Sequence, residues 1–238
     1  MAIRQYLAMT AAEMTFSSPL PRHAAWMACH FSPYSTGLTN LPEKLPLESL
    51  LILNDRTPIH GHEPERVFME LEQVLHRFHC PGLLIDFQNP PTQEALALTA
   101  YLAERLDVPM AAPGEYAGEC RAVFLPPVPT DTAPGDYLRN WKDKEIWLEA
   151  ALEGQDILLT TDGAVYRPNR HQDAAHIHEE ARLHCHYSIE DTPQGILFHT
   201  WRTREDLQHL LQEAESFGVT QAIGLYQELG ETAIGTTE

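Results

Sequence analysis

The stretch Pro81-Gly82-Leu83-Leu84-Ile85-Asp86-Phe87-Gln88 decides how this chain is read. A Pro-Gly turn leads into a continuous apolar run, and a short run bounded by turn residues reads as a strand, Leu83 to Phe87, buried on both faces as in a parallel sheet. Side chains alternate along a strand, so Asp86 and Gln88 share one face and Phe87 takes the other. Upstream, Val67, Phe68, Leu71, Val74, Leu75 and Phe78 recur at helical spacing between Pro64 and His79, with Pro64 acceptable in the first turn. Downstream, Thr92 is placed to cap a helix whose inner face is Ala95, Leu96, Leu98, Leu102 and Leu106. With the apolar run Leu50 to Leu53 before them, these segments spell β-α-β-α.

Extending outward, strands are expected to start at Ile3, Ala24, Leu50, Leu83, Val108, Ala122, Ile146 and Ala222. Ile146 to Leu152 satisfies both a strand and a helix period, and its place in the strand order makes it a strand. Thr10-Ala11-Ala12-Glu13 has capping-box spacing, and Thr203 through Asp206 opens a helix lined by Leu207, Leu210, Leu211, Ala214 and Phe217. Pro42 and Pro46, and the nine residues from Pro113 to Arg121, leave no room for two of the crossover helices. Asp162-Gly163 signals a tight hairpin, and Leu183 to Ile189 pairs by pattern with Ile196 to Trp201, so this region reads as antiparallel. The expected fold class is α/β: a trimmed (β/α)8 TIM barrel, one domain over residues 1–238, with a small antiparallel insertion at about 156–201 before the last helix and strand.

The charge of −18, from 34 acidic against 16 basic residues, leaves little for counterion release, so nucleic acid is not an expected partner. Cys29, Cys80, Cys120 and Cys185 lie far apart with no C-x-x-C pair and read as reduced thiols. Neither a basic-then-apolar leader nor an apolar run of about 18 residues occurs, so a cytoplasmic location away from any membrane is expected. No cofactor is expected, and the oligomeric state is not readable.

Two stretches resemble the family-18 glycoside hydrolases, the chitinase-like group. Pro81 to Gln88 resembles that family's fourth strand, whose pattern D-x-x-D-x-D-x-E ends in the catalytic acid. Trp201 through Gly230, with Phe217-Gly218-Val219 and Ile223-Gly224-Leu225-Tyr226-Gln227, resembles the last helix and eighth strand of its bacterial, spore-associated branch. Pro81 and Leu84 stand in place of the first two aspartates, Asp86 matches the third, and Gln88 replaces the acid. The resemblance implies substrate-assisted chemistry, in which the acid protonates the leaving oxygen while the neighbouring Asp steadies the N-acetyl group that attacks. A glutamine amide has no titratable proton near neutral pH, so that chemistry is not expected here. Tyr226 falls where the family has a tryptophan under the sugar. The expected function is therefore binding of a carbohydrate or peptidoglycan-related ligand through Asp86, Gln88 and Tyr226, without chitinase-type hydrolysis.

Two alternatives stay open. Asp55, Glu115 and Glu149 sit at expected strand ends, and two carboxylates flanking a sugar would make an active glycoside hydrolase by another route. His171, His176, His178, His184 and His186 crowd the insertion, and His184 and His186 in particular would serve a metal-dependent hydrolase, although H-x-H alone is weak spacing. His60 and His62 form a second loose pair. Trp26, Trp141, Trp147 and Trp201 fit apolar periods and read as core.

Overall fold

The computed structural model describes residues 2–17, 19–169 and 176–230. The chain begins β1 (Arg4–Met9), α1 (Ala11–Phe16), β2 (Ala24–Phe31), β3 (Leu38–Thr39), β4 (Leu50–Asn54) and α2 (Pro64–Arg77). It continues β5 (Leu83–Asp86), α3 (Gln93–Arg105), β6 (Met110–Pro113), β7 (Ala122–Leu125), α4 (Pro134–Leu138) and β8 (Glu145–Glu149). A meander of β9 (Gly154–Thr160), β10 (Gly163–Pro168), β11 (His178–Glu180), β12 (Cys185–Thr192) and β13 (Gly195–Trp201) follows, then α5 (Arg204–Glu215), β14 (Val219–Leu225) and α6 (Tyr226–Leu229).

Parallel pairing runs β1-β14-β8-β7-β6-β5-β4-β2, and β1 also pairs with β2, Leu7 to Ala24 and Met9 to Trp26, which closes the ring. Eight strands of the described residues thus form a closed (β/α)8 barrel, with the expected strand starts met within three residues. Among the described residues no helix joins β2 to β4 or β6 to β7, as the prolines and the short spacing required.

Inside the ring pack Tyr6, Ala8, Ala25, Leu50, Ile52, Leu84, Ala111, Ala122, Phe124, Trp147 and Ile223. Trp147 is fully buried and fills much of this space. A Cβ on Gly82 would lie 2.7 Å from its ring and 2.8 Å from Pro109 O, so the glycine before β5 is what lets the indole in. Residues of opposite parity, such as Leu53, Ile85 and Leu148, join clusters outside the ring with the helices.

The helices start where their caps dictate. Thr10 and Glu13 form a complete capping box, Thr92 Oγ1 accepts from Ala95 N (3.1 Å), and Thr203 with Asp206 forms a second box. One inner-face assignment is corrected: Leu96 is exposed, and α3 instead buries Thr99, whose hydroxyl donates to Ala95 O (2.9 Å) and so satisfies itself within the helix.

The antiparallel sheet spans Gly154 to Trp201 in the order β10-β9-β13-β12-β11. Its first turn is Thr161-Asp162, one residue earlier than the Asp-Gly pair suggests, because Thr160 pairs with Gly163, whose φ of +131° opens the return strand. Arg202 fixes the sheet to the barrel: its guanidinium, buried at 1% exposure, donates to the carbonyls of His184, Leu183, Val128 and Pro129. Among the described residues no helix is long and apolar enough to cross a membrane.

Candidate functional site

Barrel sites form at the C-terminal ends of the strands. Leu84 belongs to the interior cluster, so Asp86, two residues on, projects into the same lumen; Trp147 is likewise interior, so Glu149 does too. The structure therefore brings two of the sequence-derived candidates, Asp86 and Glu149, to one barrel mouth. Gln88, just beyond β5, is exposed there, and its Nε2 donates to Asp86 Oδ1 (2.5 Å). Phe87 turns outward against Phe31 and Tyr116, as the alternation required.

Both carboxyls are raised above the ordinary carboxylate range. Burial raises Asp86, the charge of Asp55 adds to this, and the hydrogen bond from Gln88 opposes it. Glu149 is pushed up to about 7, first by burial and then by the negative charges of Asp86, Glu153 and Glu228. A carboxyl displaced as far as Glu149 is the usual equipment of an acid-base site. Glu153 and Glu228 were not singled out from sequence. Glu228 lies on α6, where its Oε1 accepts from Leu152 N, and Glu153 is raised by burial against the opposing charge of Arg202. Glu153 falls four residues after Glu149, beyond the end of β8, a position the strand-end rule could have flagged; the approach of Glu228 is long-range and left no local signal.

The other candidates have different work. Asp55 is buried and both its oxygens are used, Oδ1 by Gln88 N (2.9 Å) and Oδ2 by Asn89 N (3.0 Å), while its carbonyl accepts from Asn89 Nδ2 (3.0 Å). Tyr116 hydroxyl donates to Asn89 O (2.8 Å) from the far side. Asp55 is thus the anchor of the loop that carries Gln88. Glu115 lies exposed in the turn after β6. Tyr226 is not on the last strand: β14 ends at Leu225 and Tyr226 opens α6 at the rim, half-buried against the cluster that holds Leu7, Leu148 and Leu229.

The histidines are taken up by α5, by the neighbouring strand and by loops. His184 precedes β12, with φ +48°, and its Nε2 meets Glu213 Oε2 at 2.7 Å; His186 Nδ1 meets Asp206 Oδ2 at 2.8 Å and stacks on Trp201. His184 lies before β12 and His186 on it, and they engage separate carboxylates of α5. His178 stacks on Tyr187, His62 bonds Ser32 O, and His60 sits exposed beside Glu94. His171 lies outside the described residues. Among the described residues no three His, Cys, Asp or Glu side chains gather in a geometry that would hold a metal. All four cysteines are free and buried, and burial pushes Cys29 and Cys80 up to about 12, which removes them as nucleophiles at neutral pH. Trp26 donates to Asn40 O from a buried position, and none of the four tryptophans is an exposed platform.

The barrel and its insertion have solved counterparts. The Bacillus cereus spore cortex-lytic enzyme SleL superposes with a TM-score of 0.58 at 10% identity, covering 98% of this chain and 71% of that one. A chitinase-like agglutinin from Robinia pseudoacacia gives 0.57 at 10% identity, covering 92% and 93%. A GH18 chitinase from Cycas revoluta in complex with (GlcNAc)3 gives 0.55 at 10% identity, covering 93% and 94%. The fold is that of the family-18 glycoside hydrolases. No protein-family model matches the chain, and no curated protein matches its sequence. The GH18 likeness is one of fold, and the chemistry of this mouth has to be argued from its own residues.

Proposed function

We infer that the C-terminal mouth binds a carbohydrate of the N-acetylglucosamine or peptidoglycan type, and that the substrate-assisted hydrolysis of the GH18 fold does not run on it. The observation that carries this reading is the Gln88-to-Asp86 hydrogen bond at the end of β5. It occupies the place where the resemblance puts acid and helper aspartate, in a fold whose solved neighbours include a chitinase crystallised with (GlcNAc)3. Gln88 presents an amide that donates and accepts but carries no proton for a leaving group. Asp86 accepts from sugar hydroxyl or amide groups in a half-buried setting that strengthens such bonds. Tyr226 at the rim offers the uncovered part of its ring to a sugar face.

Titration calorimetry with (GlcNAc)4 tests this. Saturable binding is expected, weakened about tenfold or more by Asp86→Ala, which removes one or two charge-assisted hydrogen bonds of about 1.5–3 kcal/mol each, and less by Tyr226→Ala. Failure of (GlcNAc)4 and of muramic-acid-containing fragments to bind, or binding indifferent to Asp86→Ala, contradicts the reading.

A further inference from the structure

Beyond binding, we propose that Glu149 is the proton donor, and Asp86 the general base, of an inverting hydrolysis of a β-linked glycan in this mouth. The proposal rests on the glycan-binding reading above and adds a reaction to it. β5 and β8 are separated in the ring by β6 and β7. Three strand spacings of ~4.8 Å set their lumen-facing side chains on opposite sides of the mouth rather than side by side. Opposed carboxyls with room for a water between them are the inverting arrangement, at ~6.5–9.5 Å, whereas retaining pairs sit ~5–5.5 Å apart.

The protonation pattern follows from contacts already described. Burial raises both carboxyls, but only Asp86 accepts a donated hydrogen bond, from the Gln88 amide, which opposes its rise; Glu149 has burial and the negative charges of Asp86, Glu153 and Glu228 all favouring its protonated form. The donated bond from Gln88 marks Asp86 as the acceptor of the pair and so assigns it the base, leaving Glu149 the acid, which is how paired carboxyls in unlike surroundings divide these roles. Tyr137 of α4 is the other titratable group that faces Glu149, and its hydroxyl donates to Pro126 O (3.2 Å). Gln88, in this scheme, is a positioning residue for the base.

In the step itself, a water attacks the anomeric carbon from the face opposite the leaving group and passes its proton to Asp86. The bond from that carbon to the glycosidic oxygen breaks, the oxygen takes the proton of Glu149, and the new hemiacetal leaves with inverted configuration. Solvent returns the proton from Asp86 to Glu149. The N-acetyl group plays no part, so the loss of the acid at position 88 does not block this route.

The test is to incubate (GlcNAc)4 with the protein and follow both the rate and the anomer first released, by proton NMR. The expected result is slow cleavage giving the α-anomer. The basic limb of kcat/KM should lie near pH 7, since Glu149 must be protonated. Glu149→Gln, which keeps the shape, should lower cleavage of (GlcNAc)4 by about 10²- to 10⁴-fold and abolish that limb while leaving calorimetric binding in place. On a 4-nitrophenyl glycoside, whose leaving group needs little protonation, the loss should be much smaller; Glu149→Asp should retain part of the rate. Binding without cleavage, cleavage with retention, or cleavage indifferent to Glu149→Gln overturns this proposal and leaves the binding reading intact. Absence of any binding overturns both.

Discussion

Two side chains at the end of β5 show how far a single position can be read. The position of Asp86 and Gln88 at the C-terminal end of β5 was legible because alternation along a strand is a local rule. That Asp55 anchors the Gln88 loop was not, since the contact spans 33 residues and depends on β4 and β5 being neighbours. The same is true of Glu149, whose raised pKa comes first from burial and then from the charges of Asp86, Glu153 and Glu228, two of which lie far from it in sequence. Its raised value has a stability consequence with a definite sign. A carboxyl whose folded pKa lies above its unfolded value favours folding only while protonated, so stability falls as pH rises from 4.5 to about 7 and is flat above. Glu149→Gln should therefore be more stable than the parent at pH 8, by about 1–2 kcal/mol after allowance for solvent screening, with the gap closing at pH 4. Urea denaturation at the two pH values checks this. A variant that is destabilised at pH 8 would mean that Glu149 holds the structure together rather than straining it, the opposite of what a functional acid does.

At the scale of elements, helix periods and caps carried most of the reading, and the failures share one cause. Thr10, Thr92 and Thr203 cap as their spacing dictates because a cap involves only the next three residues. Leu96 was misplaced because a threonine that bonds its own helix can be buried, so polarity alone misjudges the face. Tyr226 was misplaced by one residue at the junction of β14 and α6, where apolar periodicity does not mark the boundary. The histidines of the insertion offered only a loosely spaced metal alternative in sequence, and in the structure α5 supplies a carboxylate to each of His184 and His186. Asp206 does two tasks: burial would raise it, yet the Thr203 amide and hydroxyl and His186 hold it below the usual range. Arg202 is the firmest tie between insertion and barrel, with four carbonyls converging on a guanidinium that burial drives down in pKa. Arg202→Ala should cost about 3 kcal/mol or more in chemical denaturation, because charge-assisted bonds of about 1.5–3 kcal/mol each are lost and carbonyls are left unpaired. Arg202→Lys should recover only part, since an ammonium lacks the planar fork. A loss below about 1 kcal/mol for the alanine variant would show that the insertion is held elsewhere.

For the whole molecule, the count of eight strands and the two missing crossovers came from the sequence because each strand is a local pattern bounded by turn residues. What closes the ring did not, because closure depends on β1 meeting both β2 and β14, and on Trp147 reaching Gly82. The mouth that results gathers Asp86, Gln88 and Glu149 at the C-terminal end of a barrel of the GH18 fold, with Asp55 fixing the loop and Glu153 and Glu228 lowering the potential. The central claim is that this mouth is where a glycan sits, and a crystal structure of the protein grown with (GlcNAc)4 addresses it most directly. The account predicts sugar density at the C-terminal ends of β5 and β8, in hydrogen-bond contact with Asp86 and Gln88 and against Tyr226. Sugar bound elsewhere with that mouth empty, or a mouth closed over by the β9–β13 sheet, would contradict it.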